Sequence, residues 1–415
     1  METAEAELPK TMRMGDVEPK LTAGLDYYKP TMSQFAYEHA PDAEVTFTFK
    51  NRDPSRRLLD YVYPLRLKEK LEDFQKRGID CDEAAFLAAQ SAVNGESVFA
   101  EKYLNYLVNA ELPEVVLSRD ANDDLAISTT GEWPMVSLWE TVVMSEVNEQ
   151  YFEGLVEAEG LDIFELYEEG DRRLTQKIEL LKSRPDIKFI DFGTRRRFSA
   201  RWHQYVLERL ATEVPDNLVG TSNVYFAEKF GLNPVGTFAH ELPMVYAGLK
   251  GDTDEALRAS HGQLLDDWYD QYGEHLSVAL TDTFTTKFFL EDFTEEQATA
   301  WKGVRHDSGD PFEFGENIIK MYEGFGIDPI GKVIVFSDGL DLDKIVELQD
   351  YFGGRINLVY GWGTTLTNDL GPKALNIVMK ATEVNGDPTV KLSDDIGKHT
   401  GPQSEVDRYD RVFAG

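Results

Sequence analysis

Between about Lys188 and Thr364 one phrase recurs: a short apolar run, a polar turn bearing glycine, then a helical stretch. The runs are KFIDFG from 188, NLVGTSN from 217, PVGTFAH from 234, LSVALTD from 276, KGVRHDSG from 302, KVIVFSD from 332 and NLVYGWGT from 357. Intervening segments such as DTDEALRASHGQLLDDWYDQYG space their apolar residues at i, i+3 and i+4, as amphipathic helices do. Strands that alternate with helices build a parallel sheet, and seven or eight of them suit a barrel. The expected fold is therefore α/β, an incomplete TIM-like β/α barrel of about seven strands, with an open doubly wound sheet as the alternative. In either arrangement, active sites form at the carboxyl ends of the strands. Almost every run here closes in Asp, Ser, Thr, Gly or His, so these residues are expected on one rim.

The flanks read differently. EVTFTFKNR alternates like a half-buried strand, LDYVYPLRLKEKLEDFQKRG suggests a helix, and VVLSRDANDDLAISTTGEW suggests a hairpin around Ala121–Asp124. An N-terminal α+β domain is expected over residues 21–145, entering a barrel over 146–370 through the helix that contains LWETVVMSEVNEQYF. The tail, 371–415, carries paired strands about Asn385-Gly386 and is expected to pack back on the N-terminal domain. Residues 1–20 are expected to form a disordered extension.

Charge narrows the function classes. Asp and Glu number 75 against 42 Lys and Arg, a formal charge of −33 spread along the chain. Such a field repels nucleic-acid backbones and anionic membranes, so neither is an expected partner. No run approaches the roughly 18 apolar residues of a membrane helix. The first 20 residues lack the apolar stretch of a secretory signal, and Cys81, the one cysteine, cannot form an internal disulfide. A cytoplasmic protein is expected. Distributed acidity also suits a salt-rich cytoplasm, although an ordinary host can carry an acidic protein.

Against that background, clustered cations and strand-end polar groups stand out. Arg195-Arg196-Arg197 follow the run ending at Asp191, where guanidinium forks can take phosphate or carboxylate, or make surface ion pairs at a helix start. His240 closes PVGTFAH and suits acid/base work or acceptance of a phosphoryl group, or else a structural place. Asp282, Asp307 and Asp338 each close a run. Together they can hold magnesium through waters and substrate phosphates, Asp307 being the candidate ligand; singly they suit helix N-caps. Arg305-His306-Asp307-Ser308-Gly309-Asp310 is the densest cluster, suited to an anion and its cation. Gly361-Trp362-Gly363-Thr364 ends the last run, where barrels commonly place a phosphate site.

In order, DFGTRRRFS, GTSN, GTFAHE, ALTDTF, RHDSGDP, VFSDGLD and GWGT resemble the nicotinate phosphoribosyltransferase family. DYYK at 26, TFTFKNR at 46, LNIVMK and KLSD extend the resemblance over about residues 21–400.

The resemblance implies transfer of ribose 5-phosphate from phosphoribosyl pyrophosphate to the ring nitrogen of nicotinate. The products would be nicotinate mononucleotide and pyrophosphate, in NAD salvage. It implies magnesium, and ATP as a co-substrate that phosphorylates His240, with Asp282 and Asp307 as further catalytic residues. Tyr28 matches the residue that stacks on the pyridine ring, and Arg195, Thr237 and Arg305 match the base pocket. Ser337, Gly363 and Thr364 match positions that hold the phosphoribosyl group. Relatives that use nicotinamide carry aspartate where Ser222 stands, so nicotinate is the expected base. Members often pair head to tail, which would let Tyr28 complete a neighbour's site in a homodimer. Trp362 is bulkier than a phosphate loop is expected to hold.

Overall fold

The computed structural model describes residues 16–413; the expected extension at 1–20 falls mostly outside them. Three strands come first: β1 (Glu44–Asn51), β2 (Val115–Arg119) and β3 (Leu125–Glu132). Six short strands follow: β4 (Phe189–Asp191), β5 (Leu218–Thr221), β6 (Val278–Leu280), β7 (Gly303–His306), β8 (Val333–Phe336) and β9 (Asn357–Trp362). The chain closes with β10 (Ile377–Val384) and β11 (Asp387–Pro388).

These strands make two sheets among the described residues. One is antiparallel, in the order β11-β10-β1-β3-β2; the other is parallel, in the order β5-β4-β9-β8-β7-β6. In β1, Val45, Phe47 and Phe49 are buried while Glu44, Thr48 and Lys50 face out. That is the period-two pattern of a sheet wet on one face. β10 pairs with β1 across almost the whole chain, Phe49 opposite Met379 and Phe47 opposite Ala381. A bulge between Thr46 and Phe47 then shifts the register, so that Val384 also turns into the core. The hairpin at Ala121–Asp124 joins β2 to β3.

The parallel sheet holds six strands rather than the expected seven. PVGTFAH forms no strand; among the described residues it contributes one bridge, Thr221 to Pro234. Proline has no N–H for a ladder, so the pairing stops after the backbone bonds that flank it, Thr221 N to Asn233 O and Val235 N to Thr221 O. The segment continues as a loop to His240. The helix Trp139–Glu159 runs unbroken between the regions and touches β10, the helix Pro64–Arg77 and the turn Thr194–Arg196. Its face from Trp139 to Asn148 is buried throughout. No helix among the described residues is long and apolar enough to cross a membrane.

Candidate active site

His240 is placed by a helix rather than by a strand end: it caps the helix Glu241–Lys250. Its Nε2 lies 2.8 Å from Asp282 Oδ1 and 3.5 Å from Asp307 Oδ2. Asp282 comes two residues after β6 and Asp307 immediately after β7, so adjacent parallel strands deliver both carboxylates. Asp282 is fully buried, and Ser308 donates to its Oδ2 at 2.6 Å. Arg305, within β7, donates to Phe238 O at 3.2 Å and approaches Asp307 at 3.9 Å. The Arg305 Nε is buried without a partner. Ser337, just past β8, lies 3.0 Å from Asp307 Oδ1 and 2.9 Å from His306 O. The expected group of Asp282, Asp307 and Asp338 is therefore revised. The ligating atoms of His240, Asp282 and Asp307 lie within 4.8 Å of one another, whereas Asp338 pairs with Lys398 at 3.3 Å.

Burial lowers the His240 pKa to about 4; Lys391 adds to the effect and Asp282 opposes it. The imidazole is neutral at physiological pH, with one nitrogen lone pair free to attack or to accept a proton. Burial alone would raise Asp282, but His240 and Lys391 hold its carboxyl well below the usual range. Asp307 is also lowered, because Arg305 and His240 outweigh its burial.

Lys391 escaped the sequence reading. Its ammonium lies 2.7 Å from His240 Nε2 and donates to Asp282 Oδ2 at 2.9 Å, and its side chain is 3% exposed. A backbone bridge to Thr400 holds it, and Ser393 turns behind it at φ 67° to bring its Oγ 3.1 Å from that of Ser308. A buried serine in that left-handed conformation costs free energy, of the kind that clusters at functional sites.

A second group forms around Tyr28, the first residue of the helix Tyr28–His39. A Cβ on Gly236 would stand 2.9 Å from Tyr28 N, so glycine alone lets the 234–240 loop lie against that helix start. Thr31 Oγ1 is 3.1 Å from Thr237 O, which places Thr237 beside it through its backbone. The Tyr28 hydroxyl is buried without a partner. Burial drives its pKa well above 10.0, and the Arg195 guanidinium facing it works the other way. Arg195 belongs to the turn Thr194–Arg196 after β4, 3.6 Å from Glu140 Oε1. Tyr28 and Arg195 thus act on each other electrostatically within the chain.

Behind them runs a buried charge chain that sequence patterns did not single out. Lys29, wholly buried, joins Glu140 to Glu241, the residue after His240, and Trp133 Nε1 donates to Glu241 Oε1 at 2.8 Å. Ser222, just past β5, donates to Asp26 Oδ1 at 2.7 Å. Burial raises the Asp26 carboxyl, against the pull of Arg195.

The three arginines divide. Arg197 is buried on Ala23 O with Glu149 at 3.8 Å, a structural place. Arg196 donates to Ile377 O, and burial with Arg195 and Arg52 lowers its pKa to about 10. On β10, Lys380 falls to about 7, first by burial and then by Lys391 and Arg52. Cations that depress one another are short of negative charge, which an anionic ligand supplies.

Trp362 does not obstruct the turn after β9. It is fully buried, and its Nε1 donates to Thr365 Oγ1 at 2.7 Å. Gly361 leaves room for the Phe192 ring, which a Cβ would meet at 2.5 Å. Gly363 precedes the single turn Thr364–Thr367. Among the described residues, neither Gly363 nor Thr364 is hydrogen-bonded to the His240 group.

Comparison with known proteins agrees over both regions. Residues 24–148 match the nicotinate phosphoribosyltransferase N-terminal domain, and residues 187–414 match the nicotinate phosphoribosyltransferase family. The nicotinate phosphoribosyltransferase of Porphyromonas gingivalis shares 30% identity at a TM-score of 0.84, over 95% of this chain and 100% of that one. That of Vibrio cholerae shares 32% identity at a TM-score of 0.83, over 96% of this chain and 94% of the other.

Proposed function

Since the chain belongs to the nicotinate phosphoribosyltransferase family, we propose that it joins nicotinate to phosphoribosyl pyrophosphate, driven by ATP through a phosphorylated His240, in NAD salvage. The observation that carries this reading is the neutral His240 imidazole on Asp282, beside Arg305 and Asp307. The parallel sheet is read as an incomplete barrel with residues 232–240 at its open side.

Nicotinate stacks on Tyr28, and its carboxylate meets Arg195, with Thr237 and Arg305 bounding the pocket and Ser222 adding no charge of its own. The ring nitrogen is already a nucleophile, so no base need deprotonate it. Breaking the ribose–pyrophosphate bond builds negative charge on the leaving group. Arg196 and Lys380 answer that charge, while Ser337, Gly363 and Thr364 hold the sugar phosphate. Asp307 offers magnesium a hard oxygen donor with Ser337 beside it; bound through substrate phosphates, the ion would neutralise pyrophosphate. In the ATP half-reaction a His240 nitrogen forms the N–P bond as ADP departs with the bridging oxygen. Phosphorylation drives synthesis only if it favours substrate-bound or product-releasing states differentially.

The test is product formation from labelled nicotinate, phosphoribosyl pyrophosphate and magnesium, with and without ATP, for wild type and His240→Ala. Nicotinate mononucleotide is expected from wild type, with stimulation by ATP that His240→Ala abolishes. Turnover of nicotinamide alone would overturn the base assignment, and ATP stimulation that survives in His240→Ala would overturn the phosphohistidine.

A further inference from the structure

His240, Asp282 and Asp307 present their ligating atoms within 4.8 Å of one another, an arrangement that ordinarily suits a metal ion. In this chain a tethered cation already stands there. The Lys391 ammonium is 2.7 Å from His240 Nε2 and 2.9 Å from Asp282 Oδ2, and its side chain is 3% exposed. The electrostatics require such a group. Two carboxylates stand within 3.5 Å of His240 Nε2. A phosphoryl group arriving at that imidazole would meet both, and among the described residues Lys391 is the one cation within hydrogen-bond distance of His240.

We propose that Lys391 is a catalytic residue of the phosphoryl-transfer step, the built-in cation of the His240–Asp282 pair. The proposal rests on the reading of His240 as the phosphoryl acceptor. An ammonium has three N–H donors. One reaches Asp282 and one is accepted by the Nε2 lone pair of His240 in its Nδ1–H tautomer, which leaves the third for an oxygen of the transferring group. As the imidazole lone pair forms the N–P bond, the P–O bond to the β–γ bridging oxygen breaks and ADP leaves with that electron pair. The ring proton stays on Nδ1, and the ammonium N–H that Nε2 had accepted passes to an oxygen of the transferred group. Lys391 balances the negative charge brought against the carboxylates, and the segment around Ser393 and the Thr400 bridge keeps it there.

The experiment follows acid-labile, alkali-stable label from magnesium [γ-32P]ATP on the full chain, with thermal unfolding as the check on folding. Lys391→Ala is expected to slow labelling by about a hundredfold, and added ethylammonium to restore about tenfold of that loss. Tetramethylammonium, which has no N–H, is expected to restore nothing, and Lys391→Arg to keep part of the rate. Should Lys391→Ala fail to fold, Lys391→Gln, with a longer side chain, is expected to show the same loss. A folded Ala or Gln variant that labels within about threefold of wild type overturns the proposal, since a lost electrostatic donor costs more. Equal rescue by tetramethylammonium also overturns it. Wild type that forms nicotinate mononucleotide yet takes no label sinks this proposal and spares the activity. Wild type that takes label without making that product does the reverse.

Discussion

The Ser222 hydroxyl donates to Asp26 Oδ1 at 2.7 Å, so the residue that resemblance assigns to base selection already stands on a buried carboxyl. Ser222→Asp would bring two carboxyls together there. At about 4 Å from the carboxylate of nicotinate and an effective dielectric of 20, the new charge would repel that base by about 4 kcal/mol and leave nicotinamide unaffected. The expected outcome is a fall in kcat/KM for nicotinate relative to nicotinamide of about tenfold or more. Steady-state kinetics with both bases check it, and an unchanged ratio would remove Ser222 from specificity.

Among the described residues Lys29 is the one cation that joins Glu140 to Glu241, with Arg195 a further 3.6 Å neighbour of Glu140. Lys29→Met leaves two buried carboxylates without it, and breaking a buried pair costs about 3–5 kcal/mol. Denaturant unfolding should show that loss at neutral pH. A variant as stable as wild type would mean that water reaches these groups.

Gly236→Ala tests the contact between loop and helix. The new Cβ would press on Tyr28 N from 2.9 Å, so loop or helix must shift. Overpacking of this kind costs about 1–3 kcal/mol. KM for nicotinate should rise more than KM for phosphoribosyl pyrophosphate, because Tyr28 lies in the base pocket. Equal rises would place the disturbance elsewhere.

Lys380 gives a pH dependence. Its pKa in the folded chain is lowered to about 7 by burial and by Lys391 and Arg52. Below that value the side chain is cationic and attracts an anion; above it the charge is lost. Affinity for pyrophosphate, followed by calorimetry, should weaken as pH rises through 7 to 8. Lys380→Arg should flatten that slope, since arginine keeps its charge. A slope retained in Lys380→Arg would assign the titration to another group.

The strand ends were legible because parallel strands buried on both faces read as apolar runs, and their polar termini announce the rim. That logic located Asp282, Asp307 and Arg305, whereas Ser337 came from the family resemblance. It misread PVGTFAH, since apolarity cannot show that Pro234 lacks a donor and that Gly236 yields its side-chain space to Tyr28. Lys391, Lys29 and Glu140 were hidden for another reason. Each takes its meaning from partners more than a hundred residues away in sequence. No local period encodes such a meeting. One weak sign was present: Lys391 sits between Val390 and Leu392, both buried, an unusual place for an ammonium.

The pairing of β1 with β10 has a consequence during synthesis. A ribosome that has released β1, β2 and β3 has exposed one edge of β1, with the apolar face of Val45, Phe47 and Phe49. That edge waits for Ile377–Val384, nearly the last part of the chain to emerge. Uncovered edges recruit other chains, so the nascent protein is most vulnerable to association while its parallel sheet is being made. Every nonsense truncation between β3 and Ile377 would make that vulnerability permanent.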